Sequence, residues 1–137
     1  MDQEEFDRIW RNAKQIALVA HHQQMRGDEP YVNHPLRVAH SCIAIWNDPY
    51  ATVGGLLHDV LEDSAYNEDT LLMCSIPEEV INVVKLVTCK SDTSRKDYIN
   101  NLLESGNVSA LRVKLMDAID NSTWTYREEI VYRQKDW

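Results

Sequence analysis

The sequence predicts an all-α fold, and three observations carry that expectation. Apolar residues recur at spacings of three and four along most of the chain. Gly and Pro number only four each in 137 residues, so turns are few and elements long. The Val-rich stretch 80–88, the one segment that reads as a strand in isolation, has the flanks and length of a helix.

The first helix is expected over 3–24. Phe6, Ile9, Trp10, Ala13, Ile16, Ala17 and Ala20 form one stripe, and Glu4, Glu5 and Asp7 suit the positive end of its dipole. The stretch from Met25 to Pro30 breaks it. Asn33-His34-Pro35 starts a second helix with Pro early, where a missing N–H costs little. Leu36, Ala39, Ile43 and Trp46 form its apolar face, and Asn47-Asp48-Pro49 is a turn. A third helix is expected over 51–62. Gly54-Gly55 inside it lowers helix propensity and predicts close approach of a neighbouring backbone. A short helix over 68–74 follows. Pro77-Glu78-Glu79 opens the next, with Val80, Ile81, Val83, Val84 and Val87 on it. Asp92-Thr93-Ser94 caps a helix over 96–103, which Gly106 ends. Another is expected over 107–122, with Val108, Leu111, Leu115 and Ile119 on it, and a separate final helix over 124–137. No strand pair and no internal repeat is expected.

Composition bounds the function. At 44% hydrophobic, residues 1–137 read as a single domain large enough to bury a core. No run of about 18 apolar residues is present, so no membrane span is expected. The acidic start, Met1-Asp2-Gln3-Glu4-Glu5, does not fit a signal peptide, and a cytoplasmic location is the expectation. Cys42, Cys74 and Cys89 are odd in number and form no CxxC, which reads as buried free thiols. The net charge of −8 argues against nucleic acid or an anionic membrane as partner. A small anionic substrate remains compatible, because a metal ion and a few local Arg or Lys can reverse the sign inside one pocket. Trp124 and Trp137 in a short tail fit a subunit contact, so a homo-oligomer is a candidate state, with packing on their own domain the equal alternative.

The chemistry concentrates in Gly55-Leu56-Leu57-His58-Asp59-Val60-Leu61-Glu62-Asp63. The His58-Asp59 pair offers one imidazole and one carboxylate to a single ion. On one continuous helix, at about 100° per residue, 58, 59, 62 and 63 fall on one side. Three acids beside four large aliphatics are costly to bury unpaired, and a divalent cation removes that cost. Ligands must converge from separate elements, and His34 and Asp117 are the candidates to join His58 and Asp59. Such a set suits Mn²⁺, Fe²⁺, Zn²⁺ or Co²⁺. Spacing alone also allows His34 to cap a turn and Asp117 to be a surface acid. His21, His22 and His40 read as packing or solvated histidines.

These residues resemble a known family. Arg26, Glu29-Pro30-Tyr31-Val32-Asn33-His34-Pro35-Leu36, Leu56-Leu57-His58-Asp59, Glu62-Asp63 and Val113-Lys114-Leu115-Met116-Asp117-Ala118-Ile119-Asp120-Asn121 resemble the hydrolase domain of the RelA/SpoT-type alarmone enzymes and the small alarmone hydrolases. The likeness covers about 13–122, with three motifs in order. It implies an HD-domain helical bundle with a metal site between helices, and a Mn²⁺-dependent hydrolase, other divalent transition metals being alternatives. It implies His34, His58, Asp59 and Asp117 as metal ligands and Glu62 and Asp63 as the acids acting on the attacking water. It places Arg26 on the purine base and Asn121 near substrate and metal. Lys114, three residues before Asp117, can reach a phosphate from the same face or pair with a nearby acid. The implied reaction removes pyrophosphate from the 3′ position of (p)ppGpp. The alternatives are an HD phosphohydrolase of another nucleotide or phosphorylated metabolite, and a non-catalytic nucleotide-binding protein. The departures from the family pattern are Asp28 in a short loop after Arg26, Asp120 where His or Tyr is usual, and Ser122-Thr123 where Leu or Met is common.

Overall fold

The structure, a computed structural model, describes residues 1–135, with side chains described for 1–124. In chain order it comprises α1 (Gln3–Ala20), β1 (Met25–Arg26), β2 (Glu29–Pro30), α2 (Asn33–Trp46), α3 (Pro49–Leu57), α4 (Val60–Asp63), α5 (Glu68–Met73), α6 (Glu78–Leu86), α7 (Arg95–Glu104) and α8 (Val108–Lys135). The all-α expectation holds. None of the described helices is long and apolar enough to cross a membrane. Trp137 lies outside the described residues.

α3 is the centre of the bundle. Every residue from Ala51 to Leu57 is buried, and α1, α2, α6 and α8 pack around it. One apolar cluster joins Ile9, Ala13 and Ile16 of α1 to Val53, Leu56 and Leu57 of α3 and Val80, Ile81 and Val84 of α6. A second joins Val38 and Cys42 of α2 to Ala51, Val83, Leu102 and Val113. Burying a Val, Leu or Ile side chain contributes about 1.5–3 kcal/mol, so these two clusters supply the main drive to fold. At the head of α3, Asp48 accepts the N–H groups of Tyr50 and Ala51, the Ser109 hydroxyl and the Arg112 guanidinium, which ties that end to α8. Burial opposes its charge, yet the Ala51 N–H, Ser109 and Arg112 hold its carboxyl below the usual range.

Gly55 meets the expectation of close approach: a Cβ there would lie 3.0 Å from Val38 Cγ1 and 3.5 Å from the Ala39 backbone nitrogen. At Gly54 the neighbour is a side chain, Val83 Cγ1, at 2.5 Å.

Five expectations are corrected. The helix expected over 51–62 is two helices, α3 and α4, broken at His58-Asp59. The His58 ring Nδ1–H takes the Gly55 carbonyl at 2.6 Å while its backbone N–H lies 3.5 Å from the same oxygen, so the ladder stops there. The first helix ends at Ala20: His21 leaves the helical conformation, and the chain then turns through Gln23 in a left-handed conformation with φ of 68°. A two-residue antiparallel ladder, Met25 with Pro30 and Arg26 with Glu29, forms where no strand pair was expected; Gly27 turns it at φ of +59°. The helices expected over 107–122 and 124–137 are one, because the Ser122 and Thr123 hydroxyls fold back onto the Ala118 and Ile119 carbonyls instead of breaking it. Only Cys42 among the three thiols is buried; Cys74 is exposed and Cys89 intermediate, and none forms a disulfide. Burial pushes the Cys42 thiol up to about 12.

Adding a Cβ against Val83 overpacks the core, so Gly54→Ala is expected to destabilise the fold by about 1–3 kcal/mol. Relief of the left-handed backbone makes Gln23→Gly stabilising by up to about 1 kcal/mol. Urea midpoints of the two variants check both; an unchanged midpoint for Gly54→Ala contradicts the packing described.

Candidate metal centre

The two-residue turn Asn47-Asp48 joins α2 to α3, and Gly55 lets the two helices run back along each other in close contact. The first turn of α2 therefore meets the last turn of α3, which brings His34 to His58. α8 packs against both helices and adds Asp117, Asp120 and Asn121. His34, His58 and Asp117 are all buried, and Asp59 is partly so.

Four side-chain atoms converge. His34 Nε2 and His58 Nε2 lie 3.2 Å apart. Asp117 Oδ1 is 2.9 Å from the first and 3.2 Å from the second. Asp59 Oδ2 is 3.1 Å from His58 Nε2 and 3.8 Å from His34 Nε2. Ligands at about 2.1 Å from one ion, at octahedral or tetrahedral angles, stand about 3.0–3.4 Å from each other. Four of the five separations are close to those edges, and the Asp59–His34 distance of 3.8 Å is longer. Placement within 4.8 Å of one another makes His34, His58 and Asp59 a group able to hold a metal ion, and Asp117 lies against both its imidazoles.

The protonation pattern fits a cation as well. His58 Nδ1–H donates to the Gly55 carbonyl and His34 Nδ1–H donates to Asp120 Oδ2 at 2.7 Å. With both Nδ1 atoms acting as donors, both Nε2 atoms present lone pairs to the same point. Two lone pairs and two carboxylates facing one another repel unless a proton or a metal ion sits among them. Burial disfavours a charged His58, but Asp59 and Asp117 outweigh it and hold its pKa up at about 10. Burial likewise opposes ionised Asp59, yet His58, the Tyr31 hydroxyl and His34 bring it down to about 2. Asp117 also stays well below the usual carboxylate range against its burial, through both imidazoles and Lys114.

The other expected site residues surround this cluster without joining it. Glu62 and Asp63 are exposed on α4 and do not share one helix with His58. Glu62 Oε1 accepts the Cys89 N–H at 3.0 Å. Partial desolvation on the side facing the protein, then Asp59 and Asp63, raise the Glu62 carboxyl above its ordinary value, with Cys89 and His58 opposing. Asp63 accepts from Gln24 Nε2 at 3.2 Å. Arg26 donates to Asn121 Oδ1 at 3.1 Å, and Asn121 Nδ2 donates to Asp117 Oδ1 at 3.2 Å. The Arg26 guanidinium lies 5.0 Å over the Tyr31 ring and 5.8 Å over Trp124. Lys114 Nζ bonds Asp117 Oδ2 at 3.2 Å, the ion-pair alternative of its two readings.

Two readings from spacing alone fail: His34 is not a turn cap and Asp117 is not a surface acid. Sequence reasoning also missed residues. Tyr31 donates its hydroxyl to Asp59 Oδ2 at 2.7 Å. Asp120 holds His34, and Arg37 holds Asp120. The spacing offered a signal: Arg37 is three residues after His34, and Asp120 three after Asp117, each one turn along its own helix. His21 is buried with its Nδ1–H on Gln24 and its Nε2 without a partner among the described residues, so it is not solvated.

No protein-family model matches the chain. Curated relatives do. A protein from Haemophilus influenzae named guanosine-3′,5′-bis(diphosphate) 3′-pyrophosphohydrolase is 34% identical over 115 residues, which cover 77% of this chain and 17% of that protein. Proteins of the same name from Aquifex aeolicus (31% identical, 92% of this chain, 19% of that protein) and Borreliella burgdorferi (30%, 81% and 18%) are also similar. The chain thus spans less than a fifth of the length of these relatives.

A proton and a metal ion would compete for this cluster. His58 is raised from 6.5 to about 10, so its contribution to stability is complete below pH 6.5 and is lost as pH rises through 10. Metal binding must displace that proton and therefore strengthens with pH. The rise in Tm on adding Mn²⁺ to chelator-treated protein is expected to grow from pH 6.5 to 8.5. A rise that stays flat or shrinks over that window contradicts the arrangement.

Proposed function

The chain belongs by sequence to the RelA/SpoT type of HD-domain hydrolase, and from that premise we propose that residues 1–137 form a metal-dependent (p)ppGpp 3′-pyrophosphohydrolase. The observation that carries the proposal is the meeting of the His34 and His58 imidazoles, with the Asp59 and Asp117 carboxylates against them. His34, His58, Asp59 and Asp117 would hold the ion, and their mixed nitrogen and oxygen set suits manganese, with iron, cobalt and zinc as alternatives. A bound ion supplies a Lewis acid for a phosphoryl oxygen and lowers the pKa of a water.

The chain's own residues supply the rest. Glu62 accepts the proton of the attacking water. Its raised pKa brings it closer to the range in which a carboxylate both takes and returns a proton. Asp63, steadied by Gln24, stands beside it on the same helix. Water oxygen bonds to the 3′-linked phosphorus, the ribose 3′ oxygen leaves with a proton, and GDP and pyrophosphate result. Arg26 provides a flat cationic surface for the purine. Asn121 connects that surface to Asp117. Lys114 offers its ammonium to a phosphate in exchange for its present bond to Asp117. The substrate class is a small anionic nucleotide, and a cytoplasmic setting fits it.

A second reading, a phosphohydrolase of another nucleotide or phosphorylated metabolite, is favoured by one feature. The Arg26 guanidinium is already engaged by Asn121, Tyr31 and Trp124. A base must therefore displace a ring or stack elsewhere.

Chromatography of ppGpp incubated with Mn²⁺-loaded protein is expected to show GDP and pyrophosphate. Glu62→Gln is expected to lower that rate by about 10²–10⁴ while Mn²⁺ binding persists. Intact ppGpp alongside turnover of another phosphorylated compound selects the second reading. An unaffected Glu62→Gln removes that residue from its assigned role.

A further inference from the structure

The two imidazoles of the cluster are held differently. His58 gives its Nδ1–H to a neutral backbone carbonyl, Gly55. His34 gives its Nδ1–H to a carboxylate, Asp120 Oδ2, at 2.7 Å. That carboxylate does not stand alone. Arg37 grips it through Nε at 2.7 Å to Oδ1 and Nη2 at 3.1 Å to Oδ2, a two-point fork that fixes the plane of the acid. The same guanidinium reaches Glu29 at 2.9 and 3.3 Å. Glu29 pairs with Arg26 across the β1–β2 ladder. One relay therefore runs from the hairpin that carries Arg26, through Glu29, Arg37 and Asp120, to a buried imidazole of the cluster.

We infer that Asp120 is a positioning residue of the metal centre: clamped by Arg37, it locks His34 in the Nδ1–H tautomer and makes His34 Nε2 the stronger of the two nitrogen donors. The chemistry is that of a carboxylate behind a ligating imidazole, which orients the ring and raises its basicity. The position is otherwise hard to account for. Asp120 adds a fourth carboxylate to a region already holding Asp59, Asp117 and Glu29. A staple between α2 and α8 needs neither that charge nor a bond to His34. Arg37 offsets the charge on both oxygens, and Oδ2, which it shares with His34, still takes the shorter bond, 2.7 Å, from the imidazole. The inference rests on the metal reading of the cluster and not on any substrate.

The test is Co²⁺ binding, read by competition with a chromogenic chelator and by the visible spectrum of the bound ion. Wild type, Asp120→Asn and Asp120→Ala are compared. Asp120→Asn keeps the shape and an acceptor but removes the charge. Asp120→Ala is expected to weaken Co²⁺ binding by about 10–100-fold, and Asp120→Asn by about tenfold. In histidine-labelled, chelator-treated protein, ¹⁵N shifts are expected to show His34 protonated at Nδ1 in the wild type and in a mixture of tautomers in Asp120→Ala. Should Asp120→Ala fail to fold, the near-isosteric Asp120→Asn carries the comparison. Lowered Tm with Co²⁺ affinity and His34 shifts unchanged makes Asp120 a structural staple and overturns the inference. A wild type that binds no Co²⁺ overturns the metal reading and the inference together. A wild type that binds Co²⁺ but hydrolyses no alarmone fails the proposed activity alone, and the Asp120 comparison still decides this point.

Discussion

The facing nitrogen lone pairs of His34 and His58, with Asp59 and Asp117 beside them, are the constraint on which the rest of this structure depends. Such a group is unfavourable in a buried setting unless a positive charge occupies its centre. Several costs in the fold make sense only in relation to it. α3 stops at His58 because the imidazole captures the carbonyl of Gly55. α8 turns Asp117 and Asp120 inward although apolar residues are available on the same helix. Arg37 and Lys114 are drawn toward acids that would otherwise repel each other, and Arg26 donates to the Asn121 amide beside them.

The packing is the means by which these groups are held. α3 is buried all round, so its C-terminal end cannot shift without disturbing both apolar clusters. The missing side chain at Gly55 sets the spacing between α2 and α3, and with it the spacing of the two imidazoles. The Gly27 turn works at the rim in the same way. Its φ of +59° suits glycine, and a Cβ there would meet the Trp124 ring at 3.0 Å. A packed interior thus holds the clustered imidazoles and carboxylates, while Glu62, Asp63 and Arg26 stand on one short helix and a hairpin nearer the surface.

Most helices were legible because their cores follow the period of 3.6 residues: Ile9, Ala13, Ile16 and Ala17 on α1 are a plain example. α8 was not. Its apolar residues Val108, Leu115 and Ile119 are about half exposed, whereas Ala110, Val113, Met116 and Asp117 face inward. The site places acids on the inward face, so hydrophobic periodicity points to the wrong side of that helix. That His34 and Asp117 come together was legible through motif order, since they lie 83 residues apart and spacing could not join them. Asp120 looked like a departure from a pattern. Only the fold shows that it stands behind His34, because Arg37, the residue that makes it tolerable, sits on another helix.

The measurement that bears most directly on this account is anomalous diffraction from crystals grown with Mn²⁺. The account predicts one strong peak among His34 Nε2, His58 Nε2, Asp59 Oδ2 and Asp117 Oδ1, at about 2.0–2.3 Å from each. A peak held instead by the exposed acids Glu62 and Asp63, or no peak at saturating Mn²⁺, would contradict it.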